Sequence, residues 1–205
     1  MINGCLICLI IAFGIPAIAQ DRMPEIPTDK MTQAQKKAAA EFVAGRGYQV
    51  RGPFTPLLRS PKLMLLAKAM GDYLRFESAL PPKLNEFTII ISARQWTQRV
   101  EWRVHSAAAI KAGLSPQIVR AVAEGRRPEG MTDDEDTVYE FCLELDNNKS
   151  VSDATYAKAL AKFGEQGVID MTGLNGFYTF LAMVMNVART APGEEAAPAL
   201  IAFPH

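Results

Sequence analysis

The choice between helix and strand turns on residues 82–113, PKLNEFTIIISARQWTQRVEWRVHSAAAIKAG. At its centre stands Ile89-Ile90-Ile91, a β-branched run of the kind that strands favour. The segment is too long for one strand, and Glu86, Ala93, Arg94 and Gln95 around the run favour helix. Pro81-Pro82 pre-sets a first turn, so a helix is expected from Lys83 to about Trp96. Thr97 is the expected N-cap of a second helix that runs to Ala112 and stops at Gly113.

The same signals extend outward in both directions. Leu63 to Glu77 carries Leu63, Leu66, Ala67, Met70 and Leu74 at helical spacing, which predicts a core-facing helix on those residues. Before it, residues 46–62 hold Gly47, Gly52, Pro53, Pro56 and Pro61 and read as an irregular loop. Thr32 is the expected N-cap of a helix through Lys36, Ala40 and Phe42, with Gly45 as its C′ residue. On the other side, Ser115-Pro116 starts a helix, and Thr132-Asp133-Asp134-Glu135 spells a capping box with acidic residues on the positive end of the helix dipole. Ser152 opens a helix over Asp153–Phe163 that Gly164 closes, and a long apolar helix follows from Gln166 to about Arg189. The expectation is an all-α, single-domain bundle of seven to eight helices over residues 32–190. A linker (20–31) precedes it, and a Pro- and Ala-rich C-terminal arm (191–205) follows.

Length and composition set wider limits. A chain of 205 residues, 49% of them apolar, has material for one proper core and is short for two. Lys plus Arg equals Asp plus Glu at 22 each, with no basic stripe to suggest a nucleic-acid partner. Residues 1–19 differ from the rest: an uncharged apolar run ends in Ala17-Ile18-Ala19 and meets the polar Gln20-Asp21-Arg22. That pattern predicts a signal peptide cleaved near Ala19, a secreted or periplasmic protein, and no membrane contact after cleavage. No Lys or Arg precedes the run; the alternatives are an uncleaved anchor and a mis-assigned start, the latter leaving the chain cytoplasmic. Cys5-Leu6-Ile7-Cys8 spells C-x-x-C inside this apolar run, without the electropositive setting that activates a thiol, and would leave with the signal. The mature chain then keeps Cys142 alone, within the apolar pattern Val138-Tyr139-Phe141-Cys142-Leu145, and reads as a buried small hydrophobe.

Chemistry concentrates around residues 86–105. At about 100° per residue, Glu101 falls about 60° and His105 about 20° from Gln98, on the face that carries Ala109 and Ala112. Arg99, Arg103 and Ser106 fall on the opposite shoulder. Polar side chains on an inward stripe need partners or a function. One reading makes Glu101 and His105, at i and i+4, a coupled acid–base pair lining a pocket. The other makes His105 an ordinary buried histidine with Glu101 as a salt bridge to it or to Arg103. Spacing alone leaves both open. Of the two histidines, His205 is the terminal residue, so His105 is the candidate histidine catalyst. No ligand cluster suggests a metal, and no glycine fingerprint suggests a nucleotide cofactor, so none is expected.

At these residues the chain resembles a known family. Leu80-Pro81-Pro82-Lys83-Leu84-Asn85-Glu86, Ile89-Ile90-Ile91-Ser92-Ala93-Arg94, Glu101-Trp102-Arg103-Val104-His105 and Ala107 through Ser115 together resemble the core of the carboxymuconolactone decarboxylase and alkylhydroperoxidase superfamily. Gly52-Pro53-Phe54, Leu57-Leu58-Arg59-Ser60-Pro61, the capping box at Thr132, Val151 through Tyr156, Phe163-Gly164 and Gly176-Phe177-Tyr178 extend the likeness over about residues 32–190. The resemblance implies an alkylhydroperoxidase-like helical bundle that forms a homo-oligomer, a trimer or hexamer. The peroxidase branch of that superfamily uses a Glu, a C-x-x-C pair and a His. Glu86 and His105 match the Glu and His, while Gln98 and Glu101 stand where the two cysteines would be.

Without both thiols, disulfide chemistry has no carrier, so the resemblance points to the cysteine-free, decarboxylase-like branch. It implies a lyase acting on a small cyclic carboxylic acid or lactone. His105 would be the general acid/base, Glu101 its partner and Glu86 a pocket carboxylate. Gln98, Arg51, Arg59 and Tyr178 are candidates for substrate binding. Arg46 joins them, because guanidinium grips a carboxylate with two bonds, and Asn175 is a further candidate. The alternatives are a non-catalytic binding or assembly protein on the same fold, and an antioxidant protein of the peroxidase branch.

Overall fold

The computed structural model describes residues 21–194 and 196–201; the expected signal segment 1–19, with Cys5 and Cys8, lies outside the described residues, as does His205. Among the described residues there are eight α-helices and no strand. They are α1 (Gln33–Arg46), α2 (Phe54–Leu57), α3 (Pro61–Phe76), α4 (Pro82–Gln95), α5 (Arg99–Lys111), α6 (Pro116–Ala123), α7 (Asp133–Asn148) and α8 (Asp153–Ala188), preceded by a single 3₁₀ turn at Thr28–Lys30.

The isoleucine run is helical because every side of α4 is covered. α4 packs against α3, α5, α6, α7 and α8, and residues 87–94 are buried without interruption. A helix that is apolar all round belongs at the centre of a core. There the bulk of Ile89, Ile90 and Ile91 is recovered as burial, roughly 1.5–3 kcal/mol per side chain. The two hydroxyls in this run are satisfied within the helix: Thr88 Oγ1 donates to Leu84 O at 3.0 Å and Ser92 Oγ to Thr88 O at 3.1 Å.

Local stop and start signals largely act as expected. Thr32 and Thr132 form complete capping boxes with Gln35 and Glu135, and the side chains of Ser115 and Ser152 cap α6 and α8. Gly164, at φ 67°, kinks α8 where a helix end was expected, although the chain resumes helix at once. Three expectations are corrected. α1 continues past Gly45 and ends at Gly47, which takes the left-handed conformation at φ 73°. The loop 46–62 contains one helical turn, α2, and α3 already begins at Pro61. Thr97 does not cap α5. It adopts a left-handed backbone (φ 47°) that closes α4, and the extended cap position falls on Gln98, whose side chain accepts from Val100 N at 2.9 Å.

The face that α3 buries matches the expected one at Ala67 and Leu74 and differs at Leu63, Leu66 and Met70. Leu63, Leu66 and Met70 are exposed, along with Tyr73 and Phe76, while Met64, Ala67, Gly71 and Leu74 point inward. The reason is the close approach of α8. A Cβ on Gly71 would sit 2.8 Å from the ring of Phe177, and one on Gly173 would sit 3.1 Å from Leu74. α3 therefore sets Gly71 under the Phe177 ring and Leu74 over Gly173, and the residues on its other side stay outside. The described part of the arm runs back over α4 and α5, where Trp102 Nε1 donates to Pro198 O at 2.8 Å and Arg94 donates to Ile201 O.

Candidate active site

Six parts of the chain converge on one cavity of about 630 Å³. They are the end of α1 (Arg46), the following loop (Tyr48, Arg51), the start of α2 (Phe54), α3 (Arg75), α5 (Glu101, Arg103, His105) and α8 (Phe177, Tyr178, Leu181). The capped start of α5 sets the phase of that helix, and this phase turns Glu101 and His105 inward, at 3% and 6% exposure. Four arginines among the lining residues give the cavity a cationic wall.

His105 is held from behind by Glu86 of α4, with Nδ1 2.7 Å from Glu86 Oε2. Arg75 Nη2 lies 3.7 Å from the other oxygen of Glu86 and forms an ion pair with it. A carboxylate can only accept, so Nδ1 carries the proton and Nε2 is the nitrogen left to the cavity that His105 lines. The ring stands edge-on to Tyr178, with centroids 5.0 Å apart. Burial pushes the Tyr178 hydroxyl up, with Arg75 opposing, so the ring acts as a neutral wall.

Glu101 stands apart from this pair. It was expected as the partner of His105, yet neither of its oxygens has a hydrogen-bond partner. Burial raises its carboxyl well above the usual carboxylate range. Glu86 takes the role assigned to it because α4 and α5 pack side by side, a neighbourhood that a helical wheel of α5 alone does not contain.

The arginines are arranged rather than loose. Arg46 Nε lies 2.6 Å from Asp72 Oδ1, an ion pair without the alignment of a hydrogen bond, and Arg46 Nη1 donates to Tyr48 Oη at 3.3 Å. Arg51 lies over the ring of Tyr48, 4.2 Å from its centroid.

Of the residues singled out in the sequence, His105, Glu101, Tyr178, Arg51 and Arg46 line the cavity, and Glu86 stands behind it. Gln98 and Arg59 are not brought there. The Gln98 carbonyl caps α5 and its amide donates to Asn186 Oδ1 at 2.7 Å; Arg59 is exposed and donates to Pro24 O and Thr55 O. Asn175 is buried and donates to Asp146 Oδ2, away from the cavity lining. Arg75, Arg103 and Tyr48 line the cavity and were not singled out as site residues. Arg75 follows only from the rotation of α3, and no local signal marks it. Cys142, the cysteine among the described residues, sits in the core with its thiol pushed up by burial, and it does not line the cavity. No group of three or more His, Cys, Asp or Glu side chains able to hold a metal gathers among the described residues.

The chain superposes on the alkylhydroperoxidase AhpD core of an uncharacterized peroxidase-related protein from Ralstonia eutropha, with a TM-score of 0.68 at 15% identity, covering 84% of this chain and 92% of that one. An uncharacterized peroxidase-related protein from a Silicibacter species gives 0.65 at 13% identity, covering 89% and 97%. The chain therefore has the alkylhydroperoxidase-like helical fold. No family model matches the sequence, and no curated protein matches it.

Proposed function

We propose that this chain is a lyase of the carboxymuconolactone decarboxylase-like kind, acting on a small cyclic carboxylic acid or lactone by acid–base chemistry. The observation that carries this reading is the Glu86–His105 contact at 2.7 Å, on a cavity whose wall includes Arg46, Arg51, Arg75 and Arg103. The arginines suit a ligand bearing carboxylates. In a decarboxylation, the bond to the departing carboxylate breaks, CO₂ leaves and the electron pair passes into a dienolate. His105 then delivers a proton to carbon from Nε2 and is recharged from solvent. Glu86 keeps Nδ1 protonated and stabilises the imidazolium between turnovers. The likeness to peroxidase-related proteins supports the fold, while among the described residues no cysteine lines the cavity.

The test is a turnover screen of carboxymuconolactone and related lactone and keto acids with the purified protein. Conversion of at least one acid is expected, falling by about 10²–10⁴ in His105→Ala and by a smaller factor in Glu86→Gln. Wild-type protein as inert as both variants across the panel would remove the proposal's main support.

A further inference from the structure

The Glu86–His105 pair leaves the second acidic side chain on α5 without an explanation. Glu101 stands one turn before His105 on the wall of the same cavity, 3% exposed, and no protein donor or acceptor reaches either carboxyl oxygen. Buried polar atoms in folded proteins nearly always have a partner. The four arginines of the cavity do not supply one: Arg46 is turned to Asp72 and Tyr48, Arg75 to Glu86, Arg51 to the Tyr48 ring, and Arg103 is exposed. Both oxygens are closed to solvent, so a partner for Glu101 has to come with a ligand that displaces the lining around it.

We propose that Glu101 is the cavity's hydrogen-bond donor to an uncharged carbonyl oxygen (ketone, ester or lactone) of a bound small acid whose carboxylate lies among the arginines. The proposal rests on the reading of this cavity as a site for small acids, and it narrows the class to oxo and lactone acids. A carboxyl group donates only when neutral. The charged or titratable groups that share the cavity or back it are Arg46, Arg51, Arg75, Arg103, Glu86, His105 and Tyr178. The cations among them favour ionisation of Glu101, but each is committed to another group or solvated, and loss of hydration is the cause that dominates. The two glutamates then do different work: the Glu86 carboxylate accepts from histidine, and Glu101 donates to ligand. A donor fixed in this way polarises the carbonyl it meets, which assists electron flow towards that oxygen when the neighbouring carboxylate departs.

The experiment combines infrared difference spectroscopy with calorimetry on the full protein, using laevulinate and pentanoate as probes. The two share a chain length and a carboxylate and differ in one ketone. At neutral pH the wild type is expected to show a neutral carboxyl stretch that is missing from Glu101→Gln and shifts when laevulinate binds. Wild type should bind laevulinate roughly three- to tenfold more tightly than pentanoate. Glu101→Gln, whose amide still donates, should keep most of that preference, and Glu101→Leu should lose it. Absence of the neutral carboxyl stretch, or equal binding of the two acids, overturns the proposal, and both are read on the wild type without any variant having to fold. If the stretch is present and neither acid binds, the small-acid reading of the cavity has failed, and the donor role falls with it.

Discussion

Replacing Glu101 by Gln should stabilise the protein at neutral pH, by an amount that grows with pH. The ordinary value for this carboxyl is 4.5, and burial raises it well above that in the fold. Below the ordinary value the group is neutral in both the folded and unfolded chain, and the wild type and the Gln variant differ little. As pH rises, the unfolded chain releases the proton while the folded one keeps it. The folded wild type then loses about 1.4 kcal/mol of stability for each pH unit, until its own carboxyl titrates. A glutamine has no proton to lose, so the gap between variant and wild type widens as pH rises from about 5 to about 7, by at most roughly 3 kcal/mol. In melting temperature this is on the order of 5–10 °C for a domain of this size. The assay is urea unfolding of both proteins across pH 4–8. All other titrating groups contribute to both, so the difference curve isolates Glu101. A flat difference curve would mean that Glu101 titrates normally in the fold, and the argument from its burial would be refuted.

Two further substitutions probe the frame around the cavity. In Gly71→Ala, the added Cβ would sit 2.8 Å from Phe177 Cζ, so the ring should shift into the cavity it lines, at a net cost of about 1–2 kcal/mol; a crystal structure with Phe177 unmoved, or a variant of raised melting temperature, contradicts this. Asp170 on α8 accepts from Tyr73 Oη at 3.0 Å and from Ala79 N at 2.8 Å, tying α8 to the α3–α4 corner. Asp170→Ala should therefore cost roughly 2–4 kcal/mol in denaturant unfolding, and a loss below about 0.5 kcal/mol would mean that the tie is ornamental.

Much of the helical order was legible because its signals are local. Thr32, Ser115, Thr132 and Ser152 act within three residues of their own backbone, and Gly164 breaks a helix wherever that helix lies. What depended on packing was not legible. α3 has bulky apolar residues on both sides, and only the closeness of α8 decides that the side holding Gly71 and Leu74 turns inward. The same holds in the cavity. The inward phase of Glu101 and His105 belongs to α5 alone and follows from spacing, whereas the partner of His105 lies 19 residues away on another helix. Arg75 reaches the cavity only because α3 rotates as it does, and Gln98, reasonable as a pocket residue on a wheel, is used up in capping.

The turn between α4 and α5 has an optical consequence. Both tryptophans of the chain flank it: Trp96, partly exposed, donates to Thr179 Oγ1 at 3.2 Å, and Trp102, fully buried beside Glu101 in sequence, donates to Pro198 O. All tryptophan emission therefore comes from the junction that sets the phase of α5, with a blue component from Trp102 and a redder one from Trp96. Lifting the C-terminal arm removes the Trp102 partner and leaves that of Trp96 in place. The molecule thus carries a native fluorophore pair in which one dye reports the arm and the other serves as its internal reference.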